Sequence, residues 1–251
     1  MYHFAVQIPA FTQAFILASV AAIVALLHLS LRRLVGAQPF LWKATGMLCL
    51  YLLFIAGLSV IGVFEDFSLP PRIIAGAFLT IVVLILISIY FRQSMHRMTT
   101  ERHETGIKNF TLSGLTMVQV WRILPETIIL LLIQNGIMPE VMTFTGRNFD
   151  IFAPLTAPLM AMMIRRESPA RIKILLVWNV ICSLILIVTV THGVLATPTP
   201  LRIIFSEIPN AAIGSFPATM LPVFMVPLAF VIHGWSIRIC LNRLTSIKEH
   251  L

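Results

Sequence analysis

The chain is written in apolar blocks of about twenty residues, each closed by charged or turn-forming residues. A helix rising about 1.5 Å per residue needs about twenty residues to cross a hydrocarbon core of roughly 30 Å. The apolar runs are continuous, whereas a membrane barrel strand would alternate with period two. The expected fold is therefore all-α and polytopic, a single transmembrane domain over residues 1–251. Seven helices are expected at about 10–31, 40–63, 72–91, 110–134, 151–164, 172–192 and 216–237. Composition agrees: 58% of residues are hydrophobic and 11% charged, against about 25% charged in a soluble domain.

The net charge of +8 would suggest nucleic acid in a soluble protein. Here the basic residues sit beside helix ends, where they act as topology signals, and no nucleic-acid partner is expected. With the N-terminus outside, fourteen of the eighteen Lys and Arg residues fall in inner segments. Three (Arg72, Arg147, Arg202) fall in outer ones, and Arg122 lies inside a helix. That asymmetry places the C-terminus in the cytoplasm. No Lys or Arg precedes the first apolar block, so that block is expected to be a retained helix and not a signal peptide. The three cysteines, Cys49, Cys182 and Cys240, lie in or beside apolar blocks and read as small hydrophobes.

Two local echoes hint at an internal repeat. Arg32-Arg33 precedes Cys49 at the spacing with which Arg165-Arg166 precedes Cys182, and Pro71-Arg72-Ile73-Ile74 resembles Leu201-Arg202-Ile203-Ile204. A possible 3+1+3 arrangement follows, in which helices one to three and five to seven are parallel repeats joined by helix four. The alternative is the ordinary recurrence of basic residues at helix ends.

Polar groups inside the spans are the candidate functional residues. Thr116, Gln119, Arg122 and Glu126 are spaced three, three and four apart, which sets them on one helix face. A charge at mid-span costs about 2.5–3.5 kcal/mol on insertion scales. An Arg122–Glu126 pair, four residues apart, is expected to offset part of that cost, with Pro125 kinking the helix between them. The segment before the short fifth helix carries Thr143, Thr145, Gly146, Arg147, Asn148 and Asp150. Asp150 is expected to cap that helix, which Pro154 and Pro158 interrupt. Short, proline-broken helices often border binding sites in transporters. The alternative for this segment is an ordinary outer loop. On the sixth helix, Asn179 is expected to face the cavity and Ser183 to bond to a neighbouring helix. Pro217, Pro222 and Pro227 should bend or unwind the seventh. His28 and His233, both placed toward the cytoplasmic side, could ligate haem b or a metal, or relay protons. His96 and His103 read as solvated residues of a polar loop over 92–108. The Asn109-Phe110-Thr111 sequon should be inert on the cytoplasmic side.

Several classes are excluded. There is no H-E-x-x-H, no G-x-S-x-G and no P-loop, and no enzymatic chemistry is expected. The four lysines, Lys43, Lys108, Lys173 and Lys248, all flank helices, so no lysine is placed to hold retinal.

The octapeptide Thr143-Phe144-Thr145-Gly146-Arg147-Asn148-Phe149-Asp150, the Trp178-Asn179 pair, Pro198-Thr199-Pro200, and the stretch from Leu221 through Pro222 to Pro227 carry a resemblance. Over its C-terminal half the chain resembles uncharacterised, hypothetical seven-helix proteins of the bacterial inner membrane. The resemblance implies that location and no activity. The functional expectation is a transporter or binding protein for a small polar solute. Its ligand site would comprise Gln119, Arg122, Glu126, Arg147, Asn148, Asp150 and Asn179, with Arg122 engaging an anionic group. The alternatives are a membrane scaffold or subunit, partnered by copies of itself or by another chain, and a b-type haem protein using His28 and His233.

Overall fold

A computed structural model describes residues 3–102, 111–143 and 146–249. His103, Lys108, Asn109, Phe110, Phe144 and Thr145 lie outside the described residues. The fold is all-α and 76% helical. Eight α-helices are described: α1 (Ala10–Val35), α2 (Pro39–Val60), α3 (Arg72–Arg102), α4 (Leu112–Val118), α5 (Ile123–Gln134), α6 (Phe152–Ile164), α7 (Pro169–Ala196) and α8 (Val226–Glu249). The turn Gln119–Arg122 joins α4 and α5 into one span, and a π-helical turn, Leu221–Met225, leads into α8. Among the described residues, six helical segments are long and apolar enough to cross a membrane. The seventh, α6, has only thirteen residues. At about 1.5 Å per residue it covers roughly two thirds of the hydrocarbon thickness.

Local chemistry fixes the ends. Gly36, at φ 74°, stops α1 and its amide bonds the Arg32 carbonyl at 2.8 Å. Pro39 and Pro169 sit in the first turns of α2 and α7, where no amide is missed. Ser168 caps α7 by accepting from the Arg171 amide. The third helix runs beyond the expected boundary, through Arg102, so His96 is helical and not part of a loop. Its first two turns follow Pro70 and Pro71, which break the chain after α2.

The central element is α8. It packs against α7, α3 and α4, and it is the most buried of the spans. The expected irregularity at Pro217, Pro222 and Pro227 is present as turns followed by the π turn. Pro227 cannot donate to the Val223 carbonyl one turn back, and the Thr80 hydroxyl of α3 takes that acceptor instead. Tyr51 of α2 hydrogen-bonds Thr80 in turn, at 2.6 Å. Contact this close between α3 and the π turn needs Gly76: a Cβ there would lie 2.9 Å from the Phe64 ring and 3.2 Å from Val223.

Outward faces are apolar. Leu50, Leu53, Phe78 and Leu155 are each at least 64% exposed, as lipid-facing side chains are. Interhelical polar contacts are few and specific, among them Ser59 to Thr219 at 2.9 Å and Trp178 Nε1 to Thr156 at 2.9 Å. The expected role of Ser183 as interhelical glue is corrected: its hydroxyl bonds back to the Asn179 carbonyl of its own helix, at 2.8 Å. Cys182 and Cys240 are buried, Cys49 is exposed, and all three are free thiols.

Candidate functional site

The polar stripe on the fourth span is buried as its spacing required. Thr116, Gln119 and Arg122 are each 1% exposed. Thr116 satisfies itself on the Leu112 carbonyl. Pro125 removes a helix hydrogen bond, and the residues just before it tighten into a 3-10 turn, Gln119–Arg122. That turn changes the direction of Arg122. The expected Arg122–Glu126 pair is therefore not formed. Arg122 instead forms a two-point ion pair with Asp150, Nε donating to Oδ2 at 3.2 Å and Nη2 donating to Oδ1. Asp150 accordingly does not cap α6; Ile151 occupies that position, without a side-chain cap.

Arg122 also reaches α8. Its Nη1 lies 2.6 Å from His233 Nε2. A guanidinium only donates, so Nε2 is the accepting nitrogen and the imidazole proton is on Nδ1. Nδ1–H then donates to Asn179 Oδ1 on α7, at 2.9 Å. Asn179 Nδ2 donates to the Leu175 carbonyl. Gln119 brings its amide nitrogen to 3.3 Å from the same Nδ1, and its Oε1 has no partner among the described residues. Turning that amide over would place an acceptor against Nδ1–H. Both ring nitrogens of His233 are thus engaged by protein side chains. Among the described residues no group of three or more His, Cys, Asp or Glu is gathered.

The segment before α6 supplies the other half of the cluster. Residues 147–150 alternate as an extended chain does: Arg147 and Phe149 point out, Asn148 and Asp150 are buried. Arg147 is therefore outside the cluster. Asn148 is a hub. Its Nδ2 donates to Glu126 Oε2 at 2.9 Å, and its Oδ1 accepts from the Asp150 amide at 3.0 Å and from the Thr189 hydroxyl at 3.1 Å. The turn leading in is tight at Gly146, where a Cβ would stand 2.6 Å from the Glu140 carbonyl oxygen and 2.8 Å from that of Val141.

A cavity of about 330 Å³ lies against this cluster, bounded by α3, α5, α7 and the π turn. Most of its wall is apolar, but Arg122, Glu126 and Asp150 line it. Trp121 and Asn210 line it too, and each carries a buried polar atom, Nε1 and Oδ1, with no partner among the described residues. Ile74 and Phe78 of α3, 39% and 65% exposed, also line it, which puts an opening on the lipid side. Trp121, Asn210 and Thr189 escaped the sequence reading. A tryptophan or threonine in an apolar span is ordinary there, and Asn210 lies in a loop without a periodic pattern.

Apolar spans around a buried polar cluster make this a multi-pass helical membrane protein. More particularly, the chain belongs to the family described as domain of unknown function DUF8737, whose sequence model matches residues 71–241. That region holds every residue of the cluster and excludes α1 and α2. No curated protein and no solved structure matches the chain.

Proposed function

We propose that the protein is a transporter or binding protein for a small solute that joins a cationic or otherwise hydrogen-bonding polar group to an apolar body. One observation carries this reading. The residues lining one cavity include Glu126, which has no ion-pair partner among the described residues, and Trp121 and Asn210, each with a buried polar atom lacking a partner among the described residues. Buried polar atoms are expensive to leave unmatched, at about 1–3 kcal/mol each, and a bound solute would match them. A carboxylate at this depth needs a proton or a cation. Glu126 therefore receives the cationic group, the apolar wall takes the solute's body, and Arg122 serves as a fixed internal charge closed off by Asp150 and His233. The basic segments face the cytoplasm and the N-terminus lies outside, in a bacterial inner membrane.

The test is native mass spectrometry of protein purified in mild detergent. A reproducible small bound mass is expected, lost in Glu126→Gln and in Trp121→Phe while both variants keep the wild-type melting temperature. A bare wild-type protein, or a bound mass indifferent to both substitutions, sinks the reading. The second reading, a scaffold or subunit, is favoured by the completeness of the Arg122 bonds alone. It predicts a co-purifying chain or oligomer in place of a small mass.

A further inference from the structure

A second cavity, of about 490 Å³, lies at the other end of the bundle among α1, α2, α3, α4 and α8. It shares no lining residue with the first, and it does not rest on the function proposed above. Most of its wall is apolar (Leu27, Leu48, Leu84, Leu115 and Ile232 among others), Ser30, Arg33, Ser88 and Thr111 also line it, and His28 is part of the wall. His28 is 8% exposed, and its ring is tilted against Trp42 with centroids 4.3 Å apart.

The hydrogen bonds settle which imidazole nitrogen is free. Thr45 spends its one hydroxyl proton on the Leu41 carbonyl, at 3.0 Å. With that proton placed there, it accepts from His28 Nδ1, 2.8 Å away. His28 is thus protonated on Nδ1, and Nε2 is a lone-pair acceptor. Nε2 is buried and has no partner among the described residues. An acceptor held in a fixed orientation by its other nitrogen, at the wall of an apolar chamber, awaits a donor.

The chamber opens sideways. Leu26 of α1 and Met117 of α4 line it and are 38% and 50% exposed, so its mouth lies between these helices on the lipid-facing surface. A volume of this size is within the range of sites for small organic ligands, roughly 300–1,000 Å³. We infer that this chamber binds a hydroxyl-bearing lipid, its chain among the apolar side chains and its hydroxyl donating to His28 Nε2.

Dibrominated stearyl alcohol and its methyl ether test this directly in wild-type protein reconstituted in nanodiscs. Bromine in the chamber quenches Trp235, which lines it, and the two probes differ only in the hydroxyl proton. Saturable quenching by the alcohol is expected at about tenfold lower concentration than by the ether, the worth of one net hydrogen bond to a buried acceptor. His28→Phe should remove the difference, so that the two probes titrate alike. Equal titration of both probes in wild type overturns the proposal, as does the absence of saturable quenching by either. Dibrominated stearic acid is the third arm. If it binds more tightly than the alcohol, and Arg33→Gln abolishes that advantage, the occupant is an anionic headgroup and the hydroxyl assignment is wrong. The wild-type comparison stands even if His28→Phe does not fold.

Discussion

Arg122 Nη1 donates to His233 Nε2 across 2.6 Å, joining the fourth span to the central helix. This bond fixes the His233 tautomer, and the tautomer in turn orients Asn179. His233→Phe keeps the ring volume but leaves a buried guanidinium N–H and the Asn179 carbonyl oxygen unmatched. The expected loss is about 2–4 kcal/mol, from two unsatisfied groups at about 1–2 kcal/mol each. Thermal unfolding in detergent measures it. Nitrogen NMR of His233 at neutral pH should report the Nδ1–H form, and an Nε2–H signal would contradict the network.

The ion pair behaves as a unit. Asp150→Asn strands the buried Arg122 charge and should cost about 3–5 kcal/mol. Arg122→Gln should cost a similar amount, because it strands Asp150. The double variant removes both charges and should be more stable than either single one, giving a coupling energy of about 1–3 kcal/mol in a double-mutant cycle. Additive losses would show that the two side chains do not depend on each other.

Glu126 stands apart from that pair. In Glu126→Gln the amide oxygen still accepts from Asn148 Nδ2, and a formal charge leaves an apolar wall. Stability should stay within about 1 kcal/mol of wild type or rise. A large loss on unfolding would mean that the carboxylate serves the fold.

Gly146→Ala tests the turn that delivers Asn148 and Asp150. Its Cβ would press on two backbone carbonyl oxygens. Backbone yields less than a side-chain tip, so a loss of about 1–3 kcal/mol is expected. Ligand binding should weaken along with it, read from the same bound mass as above.

Outside the membrane, Asp66 gives a pH dependence. Hydrogen bonds from the Ser68 side chain and backbone amide, with Arg72 nearby, hold its carboxyl below the usual 3.8. A lowered folded-state value means that the stabilisation is complete above pH 3.8 and is lost as the pH falls through the folded value. Asp66→Asn should therefore lower stability near neutral pH and reduce its fall in acid. An acid limb identical to wild type would contradict this.

Much of the fold was readable because a bilayer imposes length. Each run of about twenty apolar residues became a helix, and the thirteen-residue α6 was short because the apolar run between Asp150 and Arg165 is itself short. The stripe from Gln119 to Glu126 was readable from its spacing and from the cost of charge at mid-span. Its partners were not. The 3-10 turn before Pro125 takes Arg122 to Asp150, 28 positions on, and to His233, 111 positions on. Such pairings depend on how helices pack, which no local spacing encodes. Arg147 was misplaced for a simpler reason. Burial alternates along residues 147–150, so choosing Asn148 and Asp150 excludes it.

The sideways mouths at Phe78 and at Leu26 with Met117 set the currency in which occupancy is counted. A ligand reaching either chamber from the bilayer is governed by its mole fraction among the lipids, not by its molarity in water. Diluting the sample at a constant ligand-to-lipid ratio should leave such a site filled, whereas adding detergent at constant aqueous volume should empty it.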